Sequence, residues 1–490
     1  MCGGGPSPHV LDQRARRELR GAMSSSRYDP ASARDEEADL ELPPAGAPTL
    51  GSLWDRWRDV GFLSVGWMLA IAAFFIQVSN TPSIVLGLTG GDKGTSTLSL
   101  GAMILVAAAT AVPGSLVIGR WGHRAAYLTG GAGAVAGAAV QALGMHRGSV
   151  ALLIVGSIPQ GYMYALANTF RFAAQEFVEP RERPRALAML VAGAVLSAVV
   201  GPEVGRSVRG AVPGSPFTGV YVYECLLYVA QLCAVGLAVR WGALGARGGS
   251  GGAGRGPGGS EKSDGTAAVA AGAGGAGGGG GGGVWEALAA PLRSPRFTLA
   301  MLATAWAYVW MAALMSATPV VMAANGYRLD LRVFVIEVHL VCMFLPAFLS
   351  GGWVQRFGPV PVMTAGFALE AVATALYYCR PEGLYVYFVA LAVMGVGWNL
   401  AYVGASVVGS GYLGGVQGEL PKRVATGLFD TAVLLWLGVG LTTVGYSVDG
   451  IGWFGTLGYY LGIGGVFTAV SFGFLLHGAR RAPGGGGPGT

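Results

Sequence analysis

Five ionisable side chains stand inside otherwise apolar runs of this 490-residue chain: Glu224, Glu337, His339, Glu370 and Asp430. A charge held in hydrocarbon is unfavourable by roughly 3 kcal/mol or more, so such groups pair, face water or shed their charge. His339 titrates near neutrality when unperturbed, which suits it to carry a coupled proton. Glu337 lies two residues away, roughly 200° around a helix, so the two do not share one cavity wall. Glu337 falls toward the outer end of its run. Glu370 sits in the middle of its own and is the second candidate for proton handling. Asp430 is about two turns from Lys422 and Arg423 and reads as a brace. Glu203 and Arg206, three apart, read as a local ion pair.

Other chemistries find little support. No nucleophile–base constellation stands out, there is no Walker loop, and no enzyme is expected. GIGWFG at 450–455 fits a dinucleotide pattern, but no strand precedes it. The five cysteines form no CxxC pair, so no metal site, disulfide framework or cofactor is expected.

The elements that must position these residues follow from composition. The chain is 52% hydrophobic and only 12% charged, about half the charge of an ordinary soluble protein. Its apolar residues gather in twelve runs of about twenty, the length a helix needs to cross a bilayer. The fold class is an all-α polytopic membrane protein with twelve transmembrane helices in two six-helix pseudo-repeats. The expected division is a disordered cytosolic tail at 1–59, a six-helix bundle at 60–240 and a Gly-rich cytosolic linker at 241–296. A second bundle at 297–477 and a disordered tail at 478–490 complete it. An organelle transit peptide is the alternative for the first segment.

Of the 32 Lys and Arg, 25 fall in segments on the side of the tail and linker, which puts both termini in the cytosol. The short loops alone give a weak bias, nine basic residues inside against seven outside. The membrane itself, plasma or organellar, is left open. The basic residues lack aromatic interleaving, so nucleic acid is not expected as a partner. Gly133 and Gly137 form a GxxxG pair, read as packing within a monomer.

Two short breaks repeat. VIGRWGHRA at 118–126 and VQRFGPV at 354–360 set Arg120 and Arg356 236 residues apart. QEFVEPRERPRALAM at 175–189 and GELPKRVATG at 418–427 echo each other at nearly the same offset, Arg185 to Arg423. Duplicated halves are how many transporters build a midplane site.

These features together resemble the major facilitator superfamily of secondary transporters. Arg120, Gly122 and Arg124 match the basic half of its motif between spans 2 and 3. Gly119 stands where the family has aspartate. Gly351, Arg356 and Gly358 form the second copy, with Gln355 in place of the acid. Gly201, Pro202 and Gly205 resemble its fifth-span Gly-Pro motif, which is associated mainly with exchangers and tilts the reading toward exchange or efflux. Gln160 and Gly161 are similar to its fourth-span motif, with Ser157 in place of the arginine.

The resemblance implies alternating access and a cavity lined by spans 1, 4, 7 and 10. The candidates to bind a solute there are Gln77 and Asn80, Tyr164 and Asn168, Trp306 and Trp310, and Trp398, Asn399 and Tyr402. Amides offer donors and acceptors, and the aromatic rings offer stacking faces. Asn399, deep in an apolar run, is the foremost. The expected partners are a small organic solute, H+ as a coupling ion and membrane lipid. Flavin-like, nucleobase-like, drug-like and amino-acid-like solutes stay open. A transporter-like receptor or scaffold without flux, suggested by Gly119 and Gln355, is the alternative.

Overall fold

The computed structural model describes residues 53–170, 173–174, 177–179, 182–238, 289–379, 383–415 and 419–481. Residues 1–52 and 482–490 of the expected tails, most of the Gly-rich linker, Arg171 and the 175–176 and 180–181 parts of the span 4–5 loop lie outside them, while 53–59 and 478–481, expected in the tails, are helical. Every regular element among the described residues is a helix. Backbone groups in hydrocarbon have no water to turn to, and a helix satisfies them within one segment.

In chain order these are α1 (Leu53–Leu88), α2 (Leu98–His146), α3 (Val150–Ala167), α4 (Arg183–Ser207), α5 (Thr218–Leu237), α6 (Pro295–Ala324), α7 (Leu329–Phe344), α8 (Ala347–Phe357), α9 (Pro359–Cys379), α10 (Leu384–Gly415), α11 (Glu419–Gly450) and α12 (Gly452–Arg481). They supply eleven spans by length and apolarity. The pair α7 and α8, bent by 40°, makes a twelfth if taken as one. Local signals explain several starts. Ser149 and Ser294 each accept from the backbone N–H three residues on, and Pro295 at the first helical position has no N–H of its own to satisfy.

The short loop expected around Arg120 is instead a break within α2. Gly122, at φ 83° and ψ 165°, separates span Leu98–Ser115 from span Arg120–His146. Gly114 and Gly130, on either side of it, both lie against Leu166. The chain therefore doubles back over α3. Gly358 repeats the device between α8 and α9 at φ 87° and ψ 159°. This region of backbone space is open essentially to glycine alone. A side chain at Gly122 would meet nothing within 4 Å, so conformation and not space requires the glycine.

Between helices in lipid there is no hydrophobic drive, and close packing of small residues takes its place. Gly137 lies against the Gly156 carbonyl and Gly156 against Gln141. That joins α2 to α3. Gly366 lies against Ala401, and Gly397 against Glu370, joining α9 to α10. Gly201 brings α4 onto the Ala72 carbonyl of α1. Between α2 and α11, Gly101 meets Thr442 and Gly438 meets Leu105, and Gly445 of α11 meets the Lys93 carbonyl just before α2. Large side chains such as Ile76, Tyr127, Phe170, Trp310 and Tyr377 fill the interior. Leu196, Leu226, Phe348 and Val466 stand outward, as a surface bathed in lipid tails requires.

Candidate functional site

Aromatic side chains from five helices form a connected group. Trp398 and Tyr402, one turn apart on α10, stack at 5.2 Å and 4°. Tyr308 of α6 sets its edge to both, at 5.0 and 5.4 Å. Phe344 of α7 lies 6.1 Å from Trp398 and 5.8 Å from Phe75 of α1. Phe74 packs on Tyr164 at 4.4 Å. Tyr164 and Phe74 line a narrow cleft with Ala70, Met103, Met163, Ala167 and Tyr228.

Polar atoms in this region lack partners. The Trp398 Nε1 hydrogen is buried and unbonded, and so is Asn399 Oδ1. The Asn399 amide nitrogen donates to the Met343 carbonyl at 2.9 Å. That bond fixes the amide and leaves its oxygen to accept. Aromatic rings with an unspent donor on Trp398 and an unspent acceptor on the adjacent Asn399 suit a planar solute that carries both.

The tryptophans of α6 are engaged differently. Trp306 stacks on Phe467 at 5.7 Å and on Tyr460 at 5.9 Å. Trp310 is fully buried and donates to Thr374 at 2.9 Å, so in this conformation it packs α6 against α9 and offers no face to a solute. Asn168 is exposed and bonds back to the Tyr164 carbonyl.

Gln77 belongs to a second cluster, fully buried. Its amide nitrogen faces Gln141 of α2, Gln160 of α3 at 2.8 Å and both Glu224 oxygens of α5 at 3.1 Å. Thr81 donates to the Gln77 oxygen at 2.8 Å. Sequence reading gave Gln77 a place on a cavity wall and found neither Gln141 nor the role of Glu224. The only signal was four polar residues in separate apolar runs.

A third cluster closes the end of the molecule where α1 finishes. Arg209, just after α4, donates to Asp330 of α7 at 2.8 Å and to the Asn80 oxygen of α1 at 2.9 Å. Burial pulls the Arg209 guanidinium below its usual range, and Asp330 acts against that shift. Arg332 donates to Ser83 at 3.4 Å. Arg206 pairs with Glu203 at 2.6 Å.

The proton-handling candidates are dispersed. His339 uses Nδ1 against the Leu391 carbonyl at 2.6 Å, and its Nε2 is buried without a partner. Both Glu370 oxygens are buried without a partner. Glu337 is 9% exposed near the far end. Among the described residues no group of three His, Cys, Asp or Glu forms a metal site. Of the motif residues, Arg120 and Arg356 lie over the neighbouring Trp121 and Phe357 rings. Arg124 donates to the Gly236 carbonyl at 3.4 Å. A side chain at Gly351 would meet nothing within 4 Å, Gly205 approaches Asn80, and Pro202 lies within α4.

The fold is that of a multi-pass helical membrane transporter. No family model matches the chain. It is 25% identical over 337 residues to the riboflavin transporter RfnT of Brucella anthropi, covering 67% of this chain and 77% of that one. It is also 36% identical over 90 residues to the uncharacterized MFS-type transporter YddS of Bacillus subtilis, 18% of this chain and 21% of the other. The crystal structure of the nucleoside transporter NupG, D323A mutant, aligns over 85% of this chain and 99% of its own with a TM-score of 0.61 at 11% identity. In sequence and in fold the chain is similar to secondary transporters of the major facilitator superfamily, which places it among transporters of small organic solutes.

Proposed function

We propose that the solute is a planar heteroaromatic molecule of the flavin type, moved by alternating access with H+ as the coupling ion. The observation that carries this is the aromatic group Tyr308, Phe344, Trp398 and Tyr402, edged by the free Trp398 N–H and Asn399 oxygen. The similarity to a riboflavin transporter favours the same class. The two six-span halves, 60–240 and 297–477, rock about this centre. Both termini and the connecting segment face the cytosol, and the protein works as a monomer in a lipid bilayer.

The conformation supports an inward-facing assignment. Arg209, Asp330 and Asn80 bind α1, α4 and α7 at the end remote from the tail. The seam between α2 and α11 is tight at Gly101 and looser toward the tail, where a side chain at Gly427 would stand 4.0 Å from Val112.

Uptake into proteoliposomes tests the reading. Riboflavin and a nucleoside are offered with and without an inward proton gradient to the native protein and to Asn399→Ala. Riboflavin uptake that is gradient-stimulated and lost in the variant is expected. Nucleoside uptake without riboflavin uptake overturns the solute class, and binding without flux favours a receptor.

A further inference from the structure

The cluster around Glu224 is short of hydrogens. Its amides are oriented by one backbone group. The Leu153 carbonyl lies 3.0 Å from the Gln141 amide nitrogen, so that end of Gln141 must donate. The Gln141 oxygen then faces the cluster and receives the nitrogens of both Gln77 and Gln160. The Gln77 oxygen is thereby turned to Thr81. Every amide in the cluster is fixed in this way.

The Gln77 nitrogen carries two hydrogens and is surrounded by four oxygens: Gln141, Gln160 and the two of Glu224. One hydrogen goes to Gln141. The other cannot serve Gln160 and both carboxyl oxygens. The Gln160 nitrogen donates one hydrogen to Gln141. A proton on Glu224 supplies a further donor for the oxygens that the second Gln77 hydrogen cannot reach. Without it, a fully buried carboxylate would face amide and carbonyl-type oxygens with no cation to balance it.

The surroundings offer no substitute. On α5 the ionisable neighbours are Tyr221, Cys225 and Tyr228. The helices α1, α2 and α3 present Gln77, Thr81, Gln141 and Gln160, none of which titrates. The nearest charges of α4 are Glu203 and Arg206, which pair with each other.

We propose that Glu224 is protonated in this conformation and is the group that takes up and releases the transported proton. This rests on the transport reading and moves the proton site from the C-terminal half, where His339 and Glu370 lie, to the N-terminal half. The bond that breaks on release is the Glu224 O–H, and the proton leaves to water as the cleft opens. That cleft is one helical turn away: Phe74, Met163 and Tyr228 line it, three, three and four residues from Gln77, Gln160 and Glu224. Loss of the proton leaves Gln77 facing an anion and draws its nitrogen off Gln141. The position of α1, which also carries Phe74 and Phe75, is thus tied to the proton.

Infrared difference spectra of the full-length protein in liposomes, titrated over pH, test this directly. A carboxylic acid C=O component is expected at neutral pH that disappears in alkali, is lost in Glu224→Gln and is kept in Glu370→Gln, which loses only the component of Glu370. A C=O band unchanged between the native protein and Glu224→Gln overturns the proposal. So does a carboxylate signal from Glu224 at neutral pH. Riboflavin supplies the second readout. Glu224→Gln, which keeps shape and amide bonding, should retain exchange of labelled riboflavin across liposomes without a gradient. It should lose all stimulation by a proton gradient. Stimulation equal to the native protein overturns the proposal. If the native protein moves no riboflavin, the flavin reading fails, and the infrared result still decides Glu224.

Discussion

Gly122 and Gly358 break their helices with nearly the same backbone, φ 83° and ψ 165° against φ 87° and ψ 159°. Each comes two residues after an arginine whose guanidinium lies over the next ring, Trp121 and Phe357. The repeated sequence break is thus a repeated reversal of the chain. What it preserves is a dihedral pair. The acid missing at Gly119 and Gln355 is not needed for it.

Alanine at either glycine should destabilise by about 1–3 kcal/mol through strain alone. Asparagine should do no better, because it tolerates the left-handed helical region and not ψ near 160°. Thermal unfolding in detergent measures both. Recovery of the midpoint by Gly122→Asn would sink the backbone argument.

Arg209 and Asp330 hold the far end shut. Asp330 is 48% exposed, so water and salt weaken the pair, and about 1 kcal/mol is a fair figure. Arg209→Ala also frees the Asn80 oxygen. It should shift the balance toward the far-end-open state roughly fivefold. Spin labels on α4 and α7 would report a longer distance distribution. An unchanged distribution would show that the pair is not a latch.

Trp398 supplies a stacking face and an unspent N–H. Trp398→Phe keeps part of the face and loses the donor. Trp398→Ala loses both. For riboflavin the half-saturation concentration should rise roughly tenfold in the first, equivalent to about 1.4 kcal/mol, and further in the second. Trp310→Phe should act on stability instead, since its N–H is bonded to Thr374. Equal effects of the two phenylalanine variants on riboflavin would remove Trp398 from the site.

The α2–α11 seam gives a paired test. Gly101→Ala collides with Thr442 backbone, while Gly427→Ala finds Val112 at an ordinary 4.0 Å. The first should slow uptake and lower the unfolding midpoint, with overpacking of about 1–3 kcal/mol. The second should be silent in the same assays.

The spans were legible because hydrocarbon imposes a length and a composition on each segment separately. Where a segment turned was less so: the sequence placed a loop at 120–124 that is a one-residue break, since a glycine does not announce its φ. The candidate clusters were least legible. Gln77 could be given a helix from the sequence, but Gln141, Gln160 and Glu224 sit 64, 83 and 147 residues away from it. Nothing local encodes which faces of four helices meet. Trp306 and Trp310 share a face, as their spacing requires, yet spacing does not say whether that face meets solute or α9 and α12.

The glycine seam between α2 and α11 has a consequence for speed. Two helices in contact through backbone have few side-chain rotamers to rearrange when one moves past the other. Such a surface offers little friction. What it governs is how often the transporter turns over in a second, and a bulkier seam could leave affinity untouched while making each cycle slower.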